Sequence, residues 1–379
     1  MYNKKIKVML QRLKFNIKDL VNEILDQLPK EVFQSKITTF YDPFVGGGQF
    51  VIEVENRLRQ YGHSDENISK RVFGYVGNRI RLNYIMNIHK LVGTYKTTPI
   101  ENMEFNVILG NPPYQETLGA SRGKSIWDKF VLKSYSLLKP KGYLSLIHPG
   151  SWRAPKGKFK YIQKIYKENN LIFLKLSDYK QGYETFGVGT NYDYFILQKS
   201  PNQGKTHLID TEGNSEVIDI SLLEFIPNSQ LSLYNKIIAK PGEEKVQLLG
   251  NSSYHSARDY VSNTQNNEFK YPVIWSITQS KGINLKYSKI NNKGHFNQPK
   301  VVFSHGGGTY PIIDDTGKFG LTEFGFGIVD SISNLKNIQK ALENPLFISL
   351  MSSAGFRNLK YEPKVIETFR KDFWKEFIK

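Results

Sequence analysis

The chain has 379 residues, more than one compact domain usually holds, which points to two; its 39 % hydrophobic and 23 % charged residues exclude a disordered or collagen-like chain. No apolar run approaches the ~18 residues that span a bilayer, the charged start leads into Gln11, Arg12 and Lys14 rather than a signal-peptide core, and the absence of cysteine excludes disulfides, thiolate metal sites and a cysteine nucleophile. The formal charge of +17 is uneven, +14 over residues 1–200 against +3 over the remainder, a field that attracts polyanions to the first half, although a solvated Lys-rich surface would carry the same sign.

In chain order, Ile17, Leu20, Val21, Ile24, Leu25 and Leu28 recur at helical spacing before Pro29. Ile37–Tyr41 reads as a strand running into Asp42-Pro43-Phe44-Val45-Gly46-Gly47-Gly48, and Phe50, Val51, Val54 and Leu58 mark the helix after it. Val72–Val76 is a second strand, residues 79–92 a second helix, and Phe105–Gly110 a third strand stopped by Asn111-Pro112-Pro113-Tyr114. Helices over 126–138 and 158–168 flank a strand at Gly142–Ile147, and Tyr192–Leu197 is a late strand. This alternation predicts an α/β, doubly wound, largely parallel sheet. Lys199-Ser200-Pro201-Asn202-Gln203-Gly204-Lys205 is the clearest punctuation and places a domain boundary at 200/201. Beyond it the alternation is lost, and the last 30 residues read as amphipathic helix.

Two motifs carry chemistry. Asp42–Gly48 lies at the carboxyl end of a strand, where open α/β sheets bind cofactors, and its glycines let a ligand approach the backbone. No Lys-Ser or Lys-Thr follows, so it is not a phosphate-binding P-loop; the alternative is a structural turn. Asn111-Pro112-Pro113-Tyr114 ends the third strand. Its prolines donate no N–H, leaving the Asn111 side-chain oxygen and the Pro112 carbonyl to accept both hydrogens of a planar amino group. That contact exposes the nitrogen lone pair to an electrophile, and Tyr114 is placed to stack on the ring that carries it.

Together, Asp42-Pro43-x-x-Gly46-x-Gly48 and Gly110-Asn111-Pro112-Pro113-Tyr114 resemble S-adenosylmethionine-dependent DNA adenine-N6 methyltransferases in the gamma motif order of TaqI-like enzymes of type II restriction–modification systems. The resemblance covers residues ~11–200 by motif. It implies a Rossmann-like catalytic domain over 1–200, a C-terminal mixed α+β target-recognition domain over 201–379, and S-adenosyl-L-methionine as cofactor. Asp42, Pro43, Gly46 and Gly48 would face that cofactor, with Phe15 in the degenerate stretch Phe15-Asn16-Ile17, where the family has Phe-Thr-Pro. Asn111, Pro112, Pro113 and Tyr114 would hold a flipped adenine. Tyr194 or Phe195 would supply an aromatic against its other face; neighbours on a strand point opposite ways, which leaves that choice open. The loop Glu116–Ser125 reads either as a flap with Arg122 and Lys124 on phosphates or as a plain exposed loop.

The chain departs from the family in two places. Where the family ends its second strand in an acidic residue for the ribose, this chain has Val76, Gly77 and Asn78. Asn78 accepts through its amide oxygen without a charge, and a carboxylate introduced at Val76 is expected to tighten cofactor binding by around tenfold. The second departure is Gly93–Thr97, which lacks the carboxylate expected beside the cofactor adenine. The seven histidines (including His305 of His305-Gly306-Gly307-Gly308) have no i, i+4 pair, so no metal site is expected. The partner expected is double-stranded DNA in the cytoplasm of a prokaryotic or phage-infected cell, with no membrane and with any cognate restriction endonuclease encoded separately. The alternatives are an RNA or protein-glutamine amino methyltransferase, and a non-catalytic DNA-binding protein on a decayed methyltransferase fold.

Overall fold

The computed structural model describes residues 17–116, 124–154, 157–250, 252–278, 280, 282–304, 310–355 and 363–378. They form two compact units that divide between Leu223 and Glu224. No described helix is long and apolar enough to cross a membrane.

In the first unit, helix α1 (residues 17–26) buries Leu20, Val21, Ile24 and Leu25, the set that the 3.6-residue spacing brings to one face. A short α2 (Glu31–Gln34) leads into β1 (Phe40–Asp42), buried along its whole length. Then follow α3 (Gln49–Gln60), α4 (Asp65–Ser69), β2 (Val72–Tyr75), α5 (Arg79–His89), β3 (Thr94–Lys96), β4 (Phe105–Gly110), α6 (Trp127–Ser136) and β5 (Leu138–Leu146). A 3₁₀ turn at Gly150–Arg153, α7 (Lys160–Glu168), β6 (Asn169–Ser177), α8 (Tyr179–Phe186), β7 (Tyr192–Pro201), β8 (Thr206–Ile209) and β9 (Ser215–Ile218) complete it. The strands join in the order β3-β2-β1-β4-β5-β7-β6-β8-β9. Pairing is parallel from β3 across to β5, and β7 runs antiparallel between β5 and β6. This is the doubly wound, largely parallel sheet expected from the alternation.

The chain builds outward from β1 in both directions, so the order reverses between β1 and β4. At such a switch point the connections leave to opposite faces and open a crevice at the strands' carboxyl ends. One face of the sheet packs Val107, Leu109, Ile147, Phe173, Tyr194 and Ile196 against α1 and α3. On the other, Phe195 meets Tyr166 of α7.

The Lys199–Lys205 stretch is the turn between β7 and β8. Thr206 Oγ1 donates to the Leu171 carbonyl at 2.7 Å, β8 pairs in parallel with β6, and the compact unit runs on to Leu223. Pro and Gly mark a reversal of the chain whether or not a domain ends there.

The second unit holds α9 (Leu231–Ile237) and, among the described residues, two four-stranded sheets. One is β10 (Gln247–Leu249), β17 (Gly325–Val329), β14 (Lys300–Ser304) and β15 (Ile312–Asp314); the other is β11 (Val261–Ser262), β13 (Gly282–Ser288), β12 (Tyr271–Thr278) and β16 (Gly320–Leu321). Ile274, Ile277, Val302 and Leu321 form a core to which both sheets contribute. Helices α10 (Ile332–Glu343) and α11 (Pro345–Ser353) follow. The mixed α+β class is as expected, but the helical reading of the last 30 residues is not. Helix α11 stops at Ser353, and Pro363–Thr368 and Phe373–Glu376 are short 3₁₀ turns whose Val365, Ile366, Phe369, Phe373 and Phe377 are buried. Apolar spacing there reports burial from tight turns rather than one helical face.

Candidate active site at the switch point

Asp42 ends β1 and Gly110 ends β4, its neighbour. A Cβ on Gly110 would lie 2.7 Å from Asp42 Oδ1, so only glycine lets the two strand ends approach this closely. Asp42 is 2 % exposed. Its Oδ1 accepts the Phe44 N–H at 2.9 Å, and burial pushes its pKa up to about 7 against the pull of that bond. A buried carboxylate supported by one backbone donor is short of positive charge. The loop is tied to β2 by Val45 N–H donating to the Tyr75 carbonyl at 2.9 Å. It ends in Gly48, φ 90°, which opens α3 in the left-handed region that disfavours side chains. Pro43 and Gly48 are buried and Gly46 is half-buried.

Beyond Gly110, Asn111 is half-buried and Pro112 buried. Ile147 N–H donates to the Gly110 carbonyl at 3.0 Å and holds the turn against β5. Tyr114 begins one strand of a hairpin stem: Ile126 N–H donates to the Tyr114 carbonyl at 3.1 Å, Gln115 pairs with Ser125, and Glu116 N–H donates to the Lys124 carbonyl at 2.9 Å. Lys124 is exposed on that stem. The Tyr114 ring is half-buried, but its hydroxyl is buried and has no hydrogen-bond partner among the described residues. Burial first, then Tyr192 and Asp193, raise its pKa far above the usual phenol value.

Asp42, Pro43, Gly46 and Gly48 thus flank one side of the crevice, and Asn111–Tyr114 the other. Asn78 is engaged elsewhere, as the cap of α5, with Oδ1 accepting the Arg81 N–H at 2.8 Å. Phe15 and Arg122 lie outside the described residues, as does His305-Gly306-Gly307-Gly308. Tyr194 and Phe195 are not brought to the crevice: both are 0 % exposed. Tyr194 stacks on Phe173 at 5.6 Å, and Phe195 packs 4.6 Å from Tyr166 and 5.4 Å from His148. Both rings therefore fill the interior on opposite faces of the sheet.

The expectation for Val76 also reverses. Val76 is 4 % exposed within the core set of α1 and α3, and its N–H donates to the Lys96 carbonyl at 3.0 Å. A carboxylate there would be buried without a partner, so Val76→Glu is expected to lower thermal stability by several kcal/mol rather than tighten ligand binding. Denaturation of the variant beside the wild type checks this.

Residues that the motif reading passed over complete the surroundings. Glu55 on α3, fully buried, accepts from the N–H groups of Val92 and Gly93 and from the Tyr95 hydroxyl, and so holds β3 in place. Asp193 on β7 is also fully buried. Its Oδ2 accepts from Trp152 Nε1 at 2.8 Å and Arg153 Nε at 2.9 Å, and burial raises its pKa against both. His148 exchanges both backbone hydrogen bonds with Asp193. It stacks on Trp127 at 4.6 Å and is pushed down to about 4 by burial, so it stays neutral at pH 7.

The model of the Eco57I restriction-modification methylase family matches residues 4–186. That segment, just under half of the chain, is similar to the Eco57I methylase family. An uncharacterized adenine-specific methylase of Mycoplasma pneumoniae is 34 % identical over 164 residues, which cover 38 % of this chain and 37 % of that protein. The match thus spans little more than a third of that relative's length. Among solved structures, the type IIG restriction endonuclease BpuSI has a TM-score of 0.45 at 10 % identity, over 96 % of this chain and 60 % of that one. The M protein of the type I restriction enzyme EcoKI has a TM-score of 0.41 at 12 % identity, over 64 % and 60 %. The methylase segment contains both strand-end motifs, and its end at residue 186 falls at the end of α8.

Proposed function

We propose that this chain is a site-specific DNA methyltransferase that transfers a methyl group from S-adenosylmethionine to N6 of a flipped adenine, as the modification component of a restriction–modification system. The observation that carries the reading is the meeting, across adjacent strand ends, of a buried, partner-poor carboxylate at Asp42 with Asn111–Tyr114, where the Asn111 side chain and the Pro112 carbonyl accept no hydrogen bond among the described residues. The crevice fits the cofactor: the Asp42 carboxylate suits a ligand carrying positive charge, and the glycines at 46 and 48 leave the backbone open to it.

When bound, S-adenosylmethionine supplies an electrophilic methyl group on a sulfonium. Asp42, Pro43, Gly46 and Gly48 would hold it. A stacked adenine cannot reach the crevice, so it leaves the duplex at a cost of a few kcal/mol. Tyr114 offers its half-exposed ring as the stacking surface. Asn111 Oδ1 and the Pro112 carbonyl accept the two amino hydrogens and aim the nitrogen lone pair, so the rate gain comes from positioning and polarisation. Lys124, exposed on the hairpin stem, would contact phosphate. The second unit would read the target sequence, and cleavage would belong to a separately encoded endonuclease.

Incubation with tritium-labelled cofactor and, separately, unmodified DNA, RNA and protein tests the reading. Label in N6-methyladenine of DNA is expected; label in RNA or in glutamine amides alone, or none, would overturn it.

Asp42 gives the reading a pH signature. Its folded-state value of about 7 lies above the unfolded value of 3.8, so the folded protein holds the proton longer. The associated stability is fully present below pH ~4 and is lost as pH rises to about 7, on the order of 4 kcal/mol in all. Asp42→Asn removes this loss. The variant should gain thermal stability relative to wild type between pH 4 and 8, and should bind the cationic cofactor more weakly at pH 8. Thermal scans and calorimetry on the two proteins measure both.

A further inference from the structure

Of the buried polar atoms without partners among the described residues, two at the carboxyl end of the sheet are a donor and a purely accepting oxygen, and so are complementary. The Tyr114 hydroxyl is a donor with nothing to donate to, and Asp193 Oδ1 is an acceptor with nothing to accept, among the described residues. Groups left in this state are costly in a water-poor interior. Both belong to one corner of the first unit. Ile147 N–H meets the Gly110 carbonyl at the root of the Asn111–Tyr114 turn, and the next residue, His148, pairs with Asp193 through both backbone hydrogen bonds. Asp193 therefore sits level with the turn, about 10 Å across two strand spacings.

The groups that surround these two are engaged. Tyr192, the other group that acts on the Tyr114 hydroxyl, is 3.2 Å from Thr185 Oγ1. His148 Nε2 is 2.7 Å from the Tyr166 hydroxyl. Asp193 Oδ2 is held by Trp152 and Arg153, which fixes the carboxylate and leaves Oδ1 as its unused acceptor. A carboxylate clamped by one oxygen is a rigid target for the Tyr114 hydroxyl.

We infer that Asp193 is a positioning residue of the proposed methyl transfer: its Oδ1 accepts the Tyr114 hydroxyl when a base settles against the Tyr114 ring, and so locks that ring as a stacking surface. The bond is absent from the free protein and present with the base bound. Its strength therefore favours bound DNA whose base is seated over bound DNA whose base is still stacked, and so raises the single-turnover rate. The inference rests on the proposed function.

The test uses the full chain as wild type, Tyr114→Phe, Asp193→Asn and the double variant. Single-turnover label transfer from tritiated S-adenosylmethionine to unmodified genomic DNA is read beside thermal denaturation without DNA. Tyr114→Phe removes only the unpartnered hydroxyl, so its melting temperature should equal or exceed wild type while its rate falls about tenfold. Asp193→Asn should lower both rate and melting temperature, because it also weakens the Arg153 contact. In the double variant the rate loss should match that of Asp193→Asn alone rather than the product of the two losses. A purely structural Asp193 would give the product. The positioning role is overturned by multiplied losses, by an undiminished Tyr114→Phe rate, or by a Tyr114→Phe melting temperature lower by about 3 °C or more, which would show the hydroxyl already bonded. Should Asp193→Asn fail to fold, the two Tyr114→Phe readings decide alone. A wild type that transfers no label to DNA would overturn the function itself, and the positioning role with it.

Discussion

Asn111→Ala is expected to slow methyl transfer by about 10²–10³-fold, the usual cost of removing one preorganised polar contact to the reacting group. Cofactor affinity should barely change. Asn111 follows β4, whereas Asp42 ends β1 and the glycines proposed to face the cofactor come after it. Its side chain makes no hydrogen bond among the described residues, so alanine there removes no support from the fold. Single-turnover rates and calorimetric titration with cofactor separate the two effects. Full activity in the variant would exclude the role assigned to Asn111; a parallel loss of cofactor binding would place the side chain on the cofactor instead.

The largest stability effect is expected in the second unit, where Lys300 and Asp314 form a buried ion pair at 2.6 Å with side chains 0 % and 2 % exposed. Lys300 Nζ also donates to the carbonyls of His295 and Gln298. Asp314 in addition accepts the N–H groups of Lys318 and Phe319. Burial lowers the Lys300 pKa against the support of Asp314. Asp314→Ala leaves an ammonium without its counter-ion in the interior, at a cost of roughly 3–5 kcal/mol. Replacing both partners, as Lys300→Met with Asp314→Leu, removes the stranded charge but still orphans two backbone donors, at about 1–3 kcal/mol each. The double variant should therefore recover only part of the loss. Urea denaturation of the three proteins measures the series, and an Asp314→Ala midpoint equal to wild type would show that the pair contributes nothing.

The strands that the sequence made legible are those whose apolar character is long or bounded by turn residues. Phe105–Gly110 runs into Asn-Pro-Pro, and Tyr192–Leu197 precedes Pro201, so β4 and β7 stood out. Thr94–Lys96, Thr206–Ile209 and Ser215–Ile218 are three or four residues each, near the edges of the sheet, and mostly half-exposed or exposed; their composition is that of a loop. The long β6 opens with Asn169 and Asn170, which read as turn residues although both are buried. At the crevice, Asp42 and Asn111–Tyr114 were readable because backbone geometry demands those residue types in sequence. Glu55 and Asp193 were not, because their partners are 37 and 40 residues distant and nothing local distinguishes a buried carboxylate from an exposed one. Val76 misled for the same reason: its place at the strand end was right, but which face it presents is set by packing.

The hairpin stem ties the Tyr114 ring to the helix that follows it. Tyr114 and Ile126 close the stem at its base, and Glu116 and Lys124 pair above it. Ile126 is also the residue that caps α6, so one backbone hydrogen bond joins the turn after β4 to the start of that helix. A displacement of α6 would therefore reach the Tyr114 ring through the backbone, with no side chain in between.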